Sequence, residues 1–262
     1  LSWPLKEDEK TPQLENYEGI DYYRLYSPKN YVLNRVPMEK YFSEYANVFY
    51  KIVHKVRPSL IHAASNFQNA LPAITVAKEL GIPSIYEVRG MWHYTQSSKT
   101  EGFENSERYY LHQKYELLCC ERADKVVTIG ESLKTHLIEL GVPEEKIGVV
   151  TNGVDASRFT PKEPSKQLIQ KYNLLNKTVF GFIGSVTKYE GLNYLLEALS
   201  LYREENPNFS FLLVGDGPFL QELKHLTSTL NLNDHVIFVG RVPHSEVVDY
   251  YSIIDAFPFP RT

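Results

Sequence analysis

Residues 182–191 read FIGSVTKYEG, an apolar β-branched run that stops at Gly184, passes through small and charged residues, and resumes after Gly191 in the helical pattern LNYLLEALSLY. A strand, a glycine-bounded loop and a helix start together can aim backbone N–H groups and a helix dipole at a phosphate. Gly184 allows close approach and Lys188 offers a cation, but Ser185 and Glu190 stand where a phosphate site favours positive charge. The lysine–serine ending of a Walker loop is absent, which argues against a nucleoside triphosphatase. Chemistry alone leaves the loop two uses. It cradles an anionic ligand, or it merely ends a strand and places an acid at a helix N-terminus, where acids are favoured.

Other residues of chemical interest also come after apolar runs. VGDGPF contains Gly215, Asp216 and Gly217, but Phe219 and Leu220 come next, so the third glycine of a dinucleotide fingerprint is missing. It also lies after the second strand of its series, not the first, which disfavours NAD; a tight turn with Pro218 at the first helical position is an equal explanation. In RGMWH, Arg89, Trp92 and His93 could fork onto a phosphate or stack on a sugar face, or form an exposed ion pair beside a half-buried tryptophan. Asn152 and Gly153 suit a left-handed turn at a domain exit, with Asp155 capping the next turn. No Gly-x-Ser-x-Gly, His-Glu-x-x-His or cysteine-rich spacing occurs, and His62, His93 and His244 are scattered, so no metal site is expected.

The elements that must position these loops form two series. SLIHAAS (59–65), IPSIYEV (82–88), KVVTIG (125–130) and KIGVVTN (146–152) make the first; TVFGFIG (178–184), FSFLLVG (209–215), HVIFVG (235–240) and AFPFP (256–260) make the second. Strands without polar alternation, separated by helical patterns, predict parallel sheets covered on both faces. Helices end on Gly81 then Pro83, on Gly141 then Pro143, and before Pro207. The expectation is an α/β protein of two Rossmann-like, doubly wound parallel-sheet domains facing one another across a cleft: 1–160, a Pro- and Lys-rich linker at 161–176, and 177–262. A helix is expected from Met38 to about Val56, and the tyrosines before it (Tyr17, Tyr22, Tyr23, Tyr26, Tyr31) form an acceptor-contacting or membrane-facing surface or, the commoner use and the one expected here, cover a core edge.

Bulk properties set limits. The 262 residues, 43% hydrophobic and 23% charged, suffice for two cores of roughly 100–150 residues. A net charge of −4 argues against nucleic acid as a partner. Cys119 and Cys120 are adjacent and encode no disulfide framework, which suits a reducing cytoplasm. No apolar run reaches the roughly 18 residues of a membrane span, and the first residues lack a signal-peptide pattern; peripheral contact with the inner face of a membrane is compatible with this.

The ordered set ERADKVVTIGESLKTHLIELGVPEEKIGVVTNGVDASRF, FGFIGSVTKYEGLNYLLEAL, LLVGDGPFLQELK and VIFVGRVPHSEVVDYYSIIDAFPFP resembles the retaining family-four glycosyltransferases of GT-B fold. PSLIHAASNFQNALPAITVAKELGIPSIYEVRG looks like the second half of that family's N-terminal domain, so the resemblance covers most of the chain after residue 57. It implies transfer of a sugar from a nucleotide-diphosphate sugar to an acceptor hydroxyl with retention of configuration, no cofactor and no metal. The first domain would present a glycan or lipid-linked acceptor, with Trp92 and His93 on that side, and the second would bind the donor. By position, residues 184–191 would lie beside the donor diphosphate, Gly215, Asp216 and Gly217 on the nucleotide side, Arg241 and Val242 against the base, and Arg89 with Gly90 next to the transferred sugar.

Three departures accompany the resemblance. The family usually carries arginine just after the loop's first glycine and lysine just before its last; Ser185 and Glu190 occupy those positions, leaving Lys188 or Arg261 to supply the charge. Arg89 replaces a usual histidine, as in a subset with Glu-x-Arg-Gly, here residues 87–90. The family's glycine-rich N-terminal loop and paired glutamates would fall outside residues 1–262, so both domains are expected to be incomplete and the fragment alone to transfer little sugar. A non-catalytic sugar-nucleotide-binding paralogue or assembly subunit is the alternative, and a nicotinamide-dependent oxidoreductase a distant third.

Overall fold

The computed structural model of the chain describes residues 2–5, 14–26, 38–98 and 100–261. They form two compact units that divide between Asn152 and Gly153.

In the first unit, β1 (Ser2–Leu5), β2 (Leu14–Tyr17) and β3 (Ile20–Tyr26) form a small sheet in the order β1-β3-β2. Glu18 and Gly19, both at positive φ (51° and 80°), make the two-residue turn of its hairpin. Tyr17 and Tyr22 are exposed on it, contrary to the expectation that these tyrosines cover a core edge; a sheet this small leaves a face to solvent. Tyr31 lies outside the described residues.

Helix α1 (Met38–Val56) buries Tyr41, Tyr45, Phe49 and Val53, a stripe at four-residue spacing. Beyond it, β4 (Ile61–Ser65), α2 (Phe67–Leu80), β5 (Ser84–Val88), the short α3 (Trp92–Ser97), α4 (Glu107–Arg122), β6 (Lys125–Thr128), α5 (Glu131–Glu139) and β7 (Ile147–Val149) build a parallel sheet in the order β4-β5-β6-β7. Helix α2 closes on Gly81 in the left-handed conformation (φ 66°), as its Gly-then-Pro ending predicts. The left-handed turn expected at Asn152 and Gly153 is not formed: neither has positive φ. Asp155 does accept from the Ser157 N–H and hydroxyl.

The second unit contains α6 (Lys166–Lys171), β8 (Thr178–Ser185), α7 (Leu192–Glu205), β9 (Phe209–Asp216), α8 (Leu220–Thr229), β10 (Val236–Gly240) and α9 (Val247–Tyr251). The expected linker at 161–176 is part of this unit, because Leu168, Ile169 and Tyr172 pack around buried Leu174, Val179, Leu212 and Ile253. The first six residues of β9 are all buried, the signature of a strand covered on both faces. The sheet order is β10-β9-β8, and the other edge of β8 meets Ala256 in a parallel bridge to Phe180. The stretch 256–260 read as a strand is thus one bridge, extended by the Gly181 N–H donating to the Ala256 carbonyl at 3.0 Å. Counted along the chain, the order is third, second, first, fourth. It reverses beside β8, and such a reversal opens a crevice at the carboxyl ends of the strands.

Candidate functional site

The carboxyl end of β8 is flanked by the loop after β8 and by the segment after Ala256. The first carries Ser185, Lys188 and Glu190; the second carries Arg261. Glu190 ends a 3-10 turn over Lys188–Glu190 and is buried, while Arg261 is exposed over 65% of its side chain. Arg261 donates from Nε to Glu190 Oε2 at 2.9 Å and from Nη2 to Oε1 at 2.8 Å, and its guanidinium carbon lies 5.8 Å from the centre of the Tyr189 ring. The Glu190 carboxylate pushes the guanidinium pKa above its already high ordinary value. Lys188 and Ser185 are exposed. Helix α7 comes directly after, with Gly191 at its N-cap in the left-handed conformation (φ 70°) and no side chain capping it.

The glycines here are demanded by the protein's own backbone. A Cβ at Gly191 would lie 1.9 Å from the Pro260 carbonyl oxygen, one at Gly215 (φ 138°) 1.9 Å from the Gly184 oxygen, and one at Gly217 2.2 Å from the Val186 oxygen. The loops after β8 and β9 therefore lie backbone on backbone, joined by Val186 N–H to the Asp216 carbonyl (3.0 Å) and Phe219 N–H to the Val186 carbonyl (3.1 Å). At Gly184 only the Phe182 ring comes near, at 3.2 Å. Asp216 takes the Gly217 N–H at 2.8 Å on one oxygen and faces Arg241 Nε at 3.4 Å with the other. Arg241 is exposed and Val242 half-buried. Residues 184–191, 215–217, 241 and 261, distant in sequence, therefore meet at the carboxyl edge of one sheet.

In the first unit, Glu87 on β5 bridges Arg89 Nε at 2.7 Å and His62 Nε2 at 2.9 Å. The Arg89 hydrogen bond is the main cause of a carboxyl pKa held below its ordinary range. Arg89 is 61% exposed, with its Nη groups beyond this contact. Trp92 and His93 do not sit with it on an open loop. They begin α3; Trp92 packs against the core, and His93 is fully buried between Tyr94 and Tyr109. His93 is therefore corrected from an acceptor-side contact to a core residue. Burial, with His136 and His112 nearby, pushes its imidazole down to about 4, and neither ring nitrogen has a hydrogen-bond partner.

A buried acid was missed. Glu116 of α4, 1% exposed, accepts from the Tyr86 hydroxyl and from the Phe67 N–H (3.4 Å) at the start of α2. Burial pushes its carboxyl up to about 7. It supports the carboxyl end of β4, where Ser65 holds a positive φ of 87°. The signal lay in the helix: buried His112, Glu116, Cys119 and Cys120 recur at helical spacing, so the acid falls on the buried stripe. Among the described residues no cluster of three His, Cys, Asp or Glu side chains could hold a metal ion, and no helix is long and apolar enough to cross a membrane.

Two parallel α/β units, one with its order reversal beside a glycine-rich loop and a helix start, define a Rossmann-like protein. Residues 7–158, more than half the chain, match the sequence model of Glycosyltransferase Family 4, and residues 164–262 match that of Glycosyl transferases group 1. The chain belongs to the family-four glycosyltransferases, with the two Rossmann-like domains of the GT-B fold. It is 25% identical over 220 residues to the alpha-monoglucosyldiacylglycerol synthase of Streptococcus pneumoniae, covering 79% of this chain and 47% of that protein. Sucrose-phosphate synthase from Thermosynechococcus elongatus superposes with a TM-score of 0.75 at 19% identity, over 98% of this chain and 64% of that one. Anabaena HepE, solved in complex with UDP-glucose, superposes with a TM-score of 0.67 at 20% identity, over 81% and 55%. The chain spans 36%, 47% and 37% of the length of three curated relatives.

Proposed function

We propose that this chain is part of a glycosyltransferase that moves a hexosyl group from a nucleoside diphosphate sugar to an acceptor hydroxyl, with retention of anomeric configuration, in the synthesis of a surface polysaccharide or glycolipid. The observation that carries this is the reversal of strand order beside β8, with an exposed arginine, an exposed lysine and the uncapped start of α7 around it. Departure of a nucleoside diphosphate concentrates negative charge on the phosphates, and oriented N–H groups and cations stabilise it there most. In this reading Lys188 and Arg261 face the diphosphate, Arg241 and Val242 the base, and Arg89, held by Glu87, the transferred sugar or the acceptor. The similarity to an alpha-monoglucosyldiacylglycerol synthase supports a lipid-linked acceptor. Arg261 also favours catalysis over the non-catalytic alternative, since it supplies a cation at the loop despite Ser185 and Glu190.

The test is to incubate full-length protein with UDP-, GDP- and ADP-sugars and a polar-lipid extract, monitoring nucleoside diphosphate release and the anomeric signal of the product by NMR. Transfer with retention is expected from one donor. Absence of binding to every nucleotide sugar overturns the proposal.

A further inference from the structure

Glu190 poses an electrostatic problem for an anion site. A carboxylate one residue before the N-cap of a helix that is to receive a diphosphate would repel the ligand. The geometry answers this, because Glu190 does not face the crevice alone. It is buried, and its two oxygens are occupied by one edge of the Arg261 guanidinium at 2.8 and 2.9 Å.

We propose, resting on the donor reading above, that Glu190 is a positioning residue that holds Arg261 across the strand reversal so that the outer edge of its guanidinium receives an oxygen of the donor diphosphate. A guanidinium has five N–H groups in a fixed plane. The fork to Glu190 uses one on Nε and one on Nη2 and leaves three, two of which lie parallel on the Nη1/Nη2 edge, where a phosphate can be bound in a bidentate manner. The side chain as a whole is 65% exposed.

The rest of the arrangement fixes the arm in place. Tyr189 lies against the guanidinium face, within the range of a cation–π contact. The backbone of residues 260–261 is pressed onto Gly191, where a Cβ would lie 1.9 Å from the Pro260 oxygen and 3.5 Å from the Arg261 nitrogen. An arginine held by one carboxylate gives up little rotamer freedom when it meets a second anion, so the cost of ordering a long side chain falls before binding. The pair thus turns an acid in the loop into the mount of a cation supplied from the neighbouring segment.

This predicts an unusual sign. Removing a negative charge from an anion site ordinarily strengthens anion binding; here it must weaken it. Full-length wild type, Glu190→Gln, Arg261→Gln and the double variant are titrated calorimetrically with UDP and GDP, and with uridine and guanosine as controls lacking phosphate. Arg261→Gln is expected to weaken the bound nucleoside diphosphate about tenfold and leave the nucleoside unchanged. Glu190→Gln is expected to weaken it by a similar factor, and the double variant by no more than Arg261→Gln alone. Unchanged or tighter diphosphate binding by Glu190→Gln, or additive losses in the double variant, overturns the proposal. Should Glu190→Gln fail to fold, Arg261→Lys decides the matter: it keeps the charge and loses the fork, so retention of full affinity overturns the proposal. A wild type that binds no nucleoside diphosphate brings down the donor reading itself, an outcome distinct from the others.

Discussion

Replacing Gly217 by alanine drives a methyl group into the backbone of the neighbouring loop. The new Cβ would lie 2.2 Å from the Val186 oxygen, 2.7 Å from its carbonyl carbon and 2.8 Å from its nitrogen. Ordinary contact needs about 3.5 Å, so the two loops must part by about 1 Å. That parting breaks the Val186-to-Asp216 and Phe219-to-Val186 hydrogen bonds, at about 1 kcal/mol each. Val186 is fully buried, so its polar backbone groups, left unpaired, cost about 1–3 kcal/mol more. The expected loss is therefore about 3–5 kcal/mol for the second unit, together with weaker nucleoside diphosphate binding. Gly240→Ala is the control: its φ is 82° but no atom lies within 4 Å of the added Cβ, so it incurs only left-handed strain, about 1–2 kcal/mol. Native-state hydrogen exchange at the β8 and β9 amides reads the opening directly. If Gly217→Ala destabilises these strands no more than Gly240→Ala does, the backbone-on-backbone account of the loops is refuted.

Two further predictions concern the first unit. Glu116, raised from 4.5 to about 7, keeps its proton in the fold at pH values where the unfolded chain has lost it, so its contribution is complete below pH 4.5 and declines by about 3 kcal/mol as pH rises to 7 and beyond. His93, lowered from 6.5 to about 4, acts oppositely: its contribution is complete above pH 6.5 and declines as pH falls to 4. The two slopes oppose one another between pH 4.5 and 6.5. Urea titrations across that window should show stability rising with pH more steeply in Glu116→Gln than in wild type, and less steeply in His93→Phe; unchanged slopes would contradict both assignments. Glu87→Gln should change stability by less than about 1 kcal/mol, because its partner Arg89 is largely exposed, yet lower kcat/KM as far as Arg89→Ala does. A kinetic effect in one variant but not the other would separate Arg89 from its carboxylate.

Most strands and the helix stops were legible because their causes are local. Unalternating runs such as FSFLLVG demand two covered faces, and a glycine with proline two residues later ends a helix whatever surrounds it. The sequence also shows which loops are bounded by glycine and where charges fall along them. Its errors have a common origin: His93 reads as a loop residue because burial depends on Tyr109 from α4 folding over it, and 161–176 reads as a linker because its apolar residues find their partners far along the chain, in β8, β9, β10 and residues 250–254.

What the sequence determined by itself is the succession of strands, helices and glycine-bounded loops, since dihedral preference and hydrophobic period act over a few residues. Tertiary structure alone decided that the strand order reverses beside β8, that Gly215 and Gly217 make room for a neighbouring loop, and that Glu190 meets Arg261 from 71 residues away. Such pairings are fixed by sheet topology, which brings the ends of non-consecutive strands to one edge. A glutamate that reads along the chain as a defect in a phosphate loop becomes, in three dimensions, the anchor of the arginine beside it.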